Sequence, residues 1–215
     1  KKDISNADPP LTNESLSEIS TFITNRTDTL ITNLDISITS INNDYLLNDD
    51  LSAVKVIAKI HTYTKILSSQ NISSLPTSSI IETIADLIYD SNTNSSNVFN
   101  STFTNNVTTN LNIANNIKTN VNDTIDNIIE QIDNITVNSR ANITKAYELI
   151  ESTEIFLETN TTSIDDENYS ATDATSTIVT GTESVTLTDL FIEPPLIFIY
   201  EINSQGIPND YIILY

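Results

Sequence analysis

Eleven asparagines stand in the Asn-X-Ser/Thr pattern, with X other than Pro, that an exported chain offers for N-glycosylation. Asparagine, serine and threonine are so abundant that chance alone predicts about seven such sites. All eleven precede residue 170. The excess of motifs over chance favours a glycosylated protein. The alternative explanation for the motifs is an AT-rich genome, which supplies these residue types. The predicted acceptors are Asn13, Asn25, Asn71, Asn94, Asn100, Asn106, Asn122, Asn134, Asn142, Asn160 and Asn168.

Two short clusters of acids offer the hard oxygen ligands that Ca²⁺ prefers. Neither cluster has the spacing of an EF-hand loop, which needs a glycine at its sixth position. Solvated loops are the alternative interpretation, and no cofactor other than calcium is suggested. The candidate calcium ligands are Asp44, Asp49 and Asp50 in the first cluster, and Asp165, Asp166 and Glu167 in the second.

The residues needed for common catalytic sites are scarce. A Ser-His-Asp triad would have to use His61, the only histidine, which lies within a helical pattern. A zinc site needs several His or Cys ligands, and the chain has no cysteine. Gly181 and Gly206 stand alone and cannot build a phosphate-binding loop. We therefore expect a protein that is not an enzyme.

The charge balance argues against anionic partners. Lysine and arginine number 9 against 29 acids, giving a formal charge of −20, and the densest basic group is Lys55, Lys59 and Lys65. Such a chain repels nucleic acid and anionic lipid headgroups. No run of 18 apolar residues is present, so we predict no membrane insertion within the chain. Lys1 is not an initiator Met, which favours a processed product or a piece of a longer protein.

Apolar spacing predicts a helical bundle over 13–158, preceded by an extended arm over 1–12. Apolar residues recur every three or four positions over 14–42, 50–68, 77–89 and 140–158, and this recurrence indicates helices. Asp50 is a plausible N-cap for the second helix because its carboxylate can accept a hydrogen bond from the first helical turn.

The most regular pattern predicts one long heptad helix. Asn106, Asn122 and Asn134 fall off its apolar seam, where a glycan could project into solvent, and Lys118 is the single polar interruption. The seam fails at about 136–140, where we expect a break. Its members are Val107, Leu111, Ala114, Lys118, Val121, Ile125, Ile128, Ile132 and Ile135.

The pattern changes after the bundle. Residues 159–175 are polar and acidic and are interpreted as a linker. Over 176–215 we predict a β region, with a hairpin turning at Gly181-Thr182 and strands over 196–202 and 211–215. This region would be incomplete, or paired with a neighbouring chain or domain. The predicted fold class is α+β: an N-terminal helical bundle with a long heptad-patterned helix, followed by a small C-terminal antiparallel β region.

These features favour a non-enzymatic, heavily N-glycosylated extracellular structural protein, such as a subunit of a surface filament, sheath or layer. Its partners would be further copies of itself or another surface protein, together with covalent N-glycans. The alternative is a fragment of an adhesion or receptor ectodomain or stalk that binds an external ligand. The helix-then-strand order is similar to the domain before the self-cleavage site of adhesion receptors, although that family's cysteines and His-Leu-Ser/Thr motif are absent.

Overall fold

A computed structural model describes residues 13–37, 50–69, 72, 75–91, 98–137, 139–160, 164, 166 and 168–182. These residues form seven helices. Helices α2, α3 and α6 lie within one residue of the predicted bounds, so the predicted helical bundle is confirmed. The helices are α1 (Asn13–Leu34), α2 (Leu51–Ser68), α3 (Thr77–Asp90), α4 (Ser101–Asn110), α5 (Asn115–Asp133), α6 (Arg140–Thr159) and α7 (Ala171–Gly181).

The α+β prediction is wrong, because the part of the chain that the structure describes is helical and contains no strand. Residues 176–181, which we assigned to the β region, belong to α7, and α7 begins at Ala171 within the segment interpreted as a linker. The rest of the predicted hairpin and the strands over 196–202 and 211–215 lie outside the described residues. The similarity in element order to adhesion receptors therefore loses its basis.

Helix α7 forms although its threonines and other β-branched residues favour strands. Ser170 caps its first turn by accepting a hydrogen bond from the Asp173 backbone N–H at 3.2 Å. Its buried residues, Ala174, Thr175 and Ile178, lie on one helical face, and α7 packs against α5 and α6. Packing therefore overrides local propensity in this segment.

Gly181 serves helix packing and is not a hairpin turn. A Cβ atom at this position would overlap the Ser152 hydroxyl of α6. That hydroxyl already donates a hydrogen bond to the Ile178 carbonyl oxygen at 2.6 Å. The missing side chain therefore lets the end of α7 approach α6 closely.

The predicted long helix is two helices, because Asn112 adopts a left-handed conformation with φ of 55°. The backbone N–H of Asn112 donates to Thr109 O, and that of Ile113 donates to Thr108 O. This pair of bonds is the Schellman motif that ends a helix. The chain restarts at Ala114, the exposed N-cap of α5. Beyond the break, Ile117 is buried, whereas Lys118 is only half-buried. The prediction that Lys118 lies on the apolar seam is therefore wrong, and Ile117 is the buried residue there.

Helix α1 is also shorter than predicted. Asp35 adopts a φ of 53°, and the backbone N–H groups of Asp35 and Ile36 donate to Thr32 O and Ile31 O. This second Schellman motif ends α1 at Leu34, whereas the apolar stripe suggested residue 42. Asparagine and aspartate tolerate the left-handed region better than other side chains, which suits a chain with two glycines.

The core lies around α2 and α5. Helix α2 packs against α3, α5 and α6, and α5 packs against α2, α4, α6 and α7. From Val121 onward, α5 supplies a continuous row of buried side chains: Val121, Ile125, Ile128, Ile129 and Ile132. These helices belong to one compact unit, residues 26–185. Residues 13–25, the first part of α1, belong to a second unit and are helical.

Among the described residues, no helix combines the length and the apolar character that crossing a bilayer requires.

Candidate functional site

The predicted glycan acceptors reach the surface wherever the structure describes their side chains. Asn25, Asn100, Asn106, Asn134 and Asn168 are exposed. Three more, Asn122, Asn142 and Asn160, are half-buried, and none of the eight is buried. Asn13 begins α1, whereas Asn71 and Asn94 lie outside the described residues. The fold therefore keeps each of these eight side chains at least partly in contact with solvent.

Asparagines that do not belong to an Asn-X-Ser/Thr motif are exposed to a similar extent. Of the eight that the structure describes, five are exposed and two are half-buried. The eighth, Asn33, is buried and donates hydrogen bonds from Nδ2 to the carbonyl oxygens of Ile88 and Tyr89. Exposure thus permits glycosylation without selecting for it, and the argument for glycans rests on the number of acceptor motifs.

Several acceptor asparagines also make local hydrogen bonds that a glycan would leave intact. Asn100 Oδ1 accepts from the Phe103 backbone N–H at 3.0 Å and caps α4. Asn122 Oδ1 accepts from Thr108 Oγ1 at 2.9 Å and joins α5 to α4. Glycosylation substitutes Nδ2 and spares the carbonyl oxygen. These two residues can therefore support the fold and carry sugar at the same time.

A cleft of about 290 Å³ brings two acceptors together at the end of α5. It is lined by the loop 134–137 and by residues of α5, α6 and α7. Asn134 is exposed at its edge, whereas the Asn142 Nδ2 donates to the Val137 carbonyl oxygen at 2.7 Å. Val137 is 63% exposed although it lines the cleft. The lining residues are Gln131, Asn134, Ile135, Thr136, Val137, Asn142, Lys145, Leu149 and Val179.

Two lysines of α2 hold the end of α5 and so position this loop. Lys55 Nζ donates to the carbonyl oxygens of Asp133 at 3.0 Å and Ile135 at 3.2 Å. Lys59 Nζ lies 2.6 Å from Asp133 Oδ1 and 5.5 Å from the centre of the Phe99 ring. Cations are favourable here because a helix C-terminus carries partial negative charge.

Lys59 is the most deeply buried basic residue in the part of the chain that the structure describes, with 6% of its surface exposed. Burial lowers its pKa, while the hydrogen bond and the charge of Asp133 act in the opposite direction, and Lys55 adds to the lowering. The pairing with Asp133 is the interaction that keeps a charged amine tolerable at this depth.

A chain of hydroxyl groups crosses the core between α2, α4 and α5. Tyr63 OH lies 2.7 Å from Thr104 Oγ1, and Thr104 Oγ1 donates to Asp126 Oδ1. Burial is the main cause that raises the pKa of Tyr63 well above its usual range, and also the main cause that raises the pKa of Asp126. The hydroxyls therefore link three helices through the core.

The remaining candidate residues are scattered. His61 lies on α2, where burial first and Lys65 second lower its pKa, and Glu154 acts in the opposite direction. Asp50 is confirmed as the N-cap of α2, accepting from the Ala53 N–H at 3.1 Å. Asp166 is exposed and accepts from Asn168.

The predicted calcium clusters are only partly visible. Asp44, Asp49, Asp165 and Glu167 lie outside the described residues. Among the residues that the structure describes, no three His, Cys, Asp or Glu side chains come together in a way that would hold a metal ion.

Sequence reasoning missed the cleft and the lysines that position it. Lys55 and Lys59 were recognised only as members of the densest basic group, and nothing in their spacing identifies a partner on α5. Val137 lies in the segment where the heptad pattern fails, so no periodicity indicated its surroundings.

Comparisons with known protein families, with curated proteins and with solved structures found no match. The functional argument therefore rests on the residues and geometry described above.

Proposed function

We propose that this chain is a non-enzymatic, heavily N-glycosylated extracellular structural protein, such as a subunit of a surface filament, sheath or layer. The observation that carries the proposal is the excess of acceptor motifs, eleven in 215 residues. The access to solvent of all eight acceptors whose side chains are described is compatible with the proposal, although other asparagines are exposed to a similar extent.

The charge distribution argues against anionic partners. Four of the basic residues, Arg26, Lys55, Lys59 and Lys65, form ion pairs with acids of the same chain. The surface is therefore strongly acidic, which opposes binding to nucleic acid and to anionic membranes.

The compartment is tested by intact-mass measurement on protein from its natural source. We expect a mass well above 23.8 kDa that falls after enzymatic deglycosylation. Glycopeptide mapping would then identify the occupied asparagines. A mass equal to that of the bare chain would refute the glycoprotein proposal.

Assembly is tested by electron microscopy and light scattering of the same material at low and high salt. A chain with a formal charge of −20 repels its own copies, so we expect assembly to increase as salt screens that charge. A glycosylated chain that stays monomeric at high concentration and high salt would contradict the structural role. That outcome would favour the alternative, an adhesion or receptor ectodomain that binds an external ligand.

A further inference from the structure

We propose that the cleft at the end of α5 is a binding site for the sugar attached to Asn134, so that this glycan packs against the protein instead of projecting freely. The inference rests on the proposed function, because it requires an exported and glycosylated chain. The ligand is a carbohydrate ring with one apolar face and several hydroxyl groups.

The position of Asn134 is the first reason. It follows α5 as the C-cap, its side chain is exposed, and it lines the cleft. No other side chain among the described residues hydrogen-bonds to it. A sugar linked to its Nδ2 therefore begins at the edge of the cleft and needs no flexible spacer to enter it.

The chemistry of the walls is the second reason. Gln131 and Thr136 supply polar groups that can exchange hydrogen bonds with sugar hydroxyls, and Lys145 supplies a donor. The half-buried Val179 supplies an apolar side, whereas Leu149 is 1% exposed and adds little surface. This mixture suits a ligand with one apolar face and a polar edge.

Exposure of an apolar side chain is the third reason. Val137 is 63% exposed, the highest value among the large apolar residues that the structure describes. A single exposed valine is ordinary, but this one lies on the cleft beside an acceptor asparagine. Sugar in the cleft would remove its surface from water.

The size of the cleft is the fourth reason. Its volume of about 290 Å³ is close to the lower limit of roughly 300 Å³ for small-molecule sites. It therefore suits one sugar ring better than a peptide or a larger cofactor. The lysine cluster at Asp133 fixes the backbone on one side, so the site is largely preformed.

The test compares two substitutions at one position in the full chain, secreted from a host that glycosylates. Thr136→Ala removes the acceptor motif of Asn134, whereas Thr136→Ser keeps it. We expect the melting temperature of the alanine variant to be about 2–4 °C lower than that of the serine variant. Amide hydrogen exchange should also be faster over 134–142 in the alanine variant.

Three controls isolate the glycan. The same pair made in a host that does not glycosylate should show no such difference. Asn106→Gln removes a sugar from an exposed site outside the cleft and should change the melting temperature by less than about 1 °C. Val137→Ala should lower the melting temperature of the glycosylated chain more than that of the bare chain.

The outcomes separate the two proposals. If Asn134 carries sugar and the alanine and serine variants melt together, the cleft does not bind the glycan. If Asn134 is bare while other acceptors are occupied, the inference also fails and the glycoprotein proposal stands. If every acceptor is bare, both fail. Protection of 134–142 that persists in the alanine variant would show that something else covers the cleft.

Discussion

The two ends of α5 are held by different chemistry. At its N-terminal half, α5 meets α4 through the hydrogen bond from Thr108 to Asn122, and the Lys118 amine donates to the Thr109 hydroxyl only at the exposed edge. At its C-terminal end, isoleucines pack against α2, and two lysines meet Asp133 and the final carbonyl oxygens. The comparison teaches where a very acidic chain can bury charge. It buries a cation where the helix end itself favours one, whereas the partly buried Asp126 carboxylate on the same helix depends on the Thr104 hydroxyl.

The largest expected effect is at the C-terminal end of α5, where Ile132 is completely buried. Ile132→Ala removes a side chain with no exposed surface and should lower the free energy of unfolding by about 2–5 kcal/mol. Leu111→Ala, near the other end and only half-buried, should cost clearly less because water already reaches the site. Urea unfolding of both variants measures the difference. Equal losses would contradict the distinction between the two ends.

The second effect tests the buried charge. Asp133→Ala leaves Lys59 without its carboxylate partner and should lower the free energy of unfolding by about 1–3 kcal/mol, with partial solvent exposure of Asp133 limiting the loss. Adding Lys59→Met removes the unpaired amine and should restore part of the stability. A double variant less stable than Asp133→Ala alone would show that the amine needs no partner.

The third effect tests the hydroxyl chain through pH. Asp126 has a pKa raised mainly by burial, so its ionised form opposes folding. This cost is absent below the pKa of the unfolded chain and grows as pH rises through the folded pKa. Relative to the parent chain, Asp126→Asn should therefore gain stability between pH 4 and pH 7.

Chemical unfolding at the two pH values measures this change for Asp126→Asn and for Glu130→Gln, an exposed position on the same helix. The control should show a smaller difference. If the free energies of unfolding of Asp126→Asn and the parent chain differ by the same amount at both pH values, the carboxyl group does not oppose folding.

The smallest effect concerns the break that separates the two ends. Asn112→Gly should raise the free energy of unfolding by about 0.5 kcal/mol, because glycine adopts a positive φ without strain. Asn105→Gly, on an exposed face inside α4, should lower it by about 0.3 kcal/mol because glycine is a poorer helix former. Melting temperatures of the two variants should therefore move in opposite directions, and a fall in both would contradict the left-handed turn.

Much of the bundle could be predicted because its helices combine apolar periodicity with clear boundaries. Asp50 marks the start of α2, and Pro76 precedes α3. The break at Asn112 could not be predicted, since asparagine occurs in helices and in left-handed turns, and the apolar spacing continues across it. Helix α7 was missed because its threonines favour strands, and only contacts with distant helices reverse that preference.

The candidate site also has one part that the sequence predicts and one part that it does not. The acceptor asparagines are readable because their motif is local in sequence, so eleven positions could be named without a structure. The cleft beside Asn134 joins residues from α5, α6 and α7, which are separated by tens of positions. Such a site depends on tertiary packing that no short pattern records.

The three lysines of α2 are basic residues that this chain cannot lose without also losing contacts between helices. Lys55, Lys59 and Lys65 all pair with acids on α5 and α6. Sequence drift that replaced exposed cations with neutral residues would change solubility and little else. The same drift on α2 would remove the ion pairs to two neighbouring helices, so we expect related sequences to vary freely in surface charge while keeping these three amines.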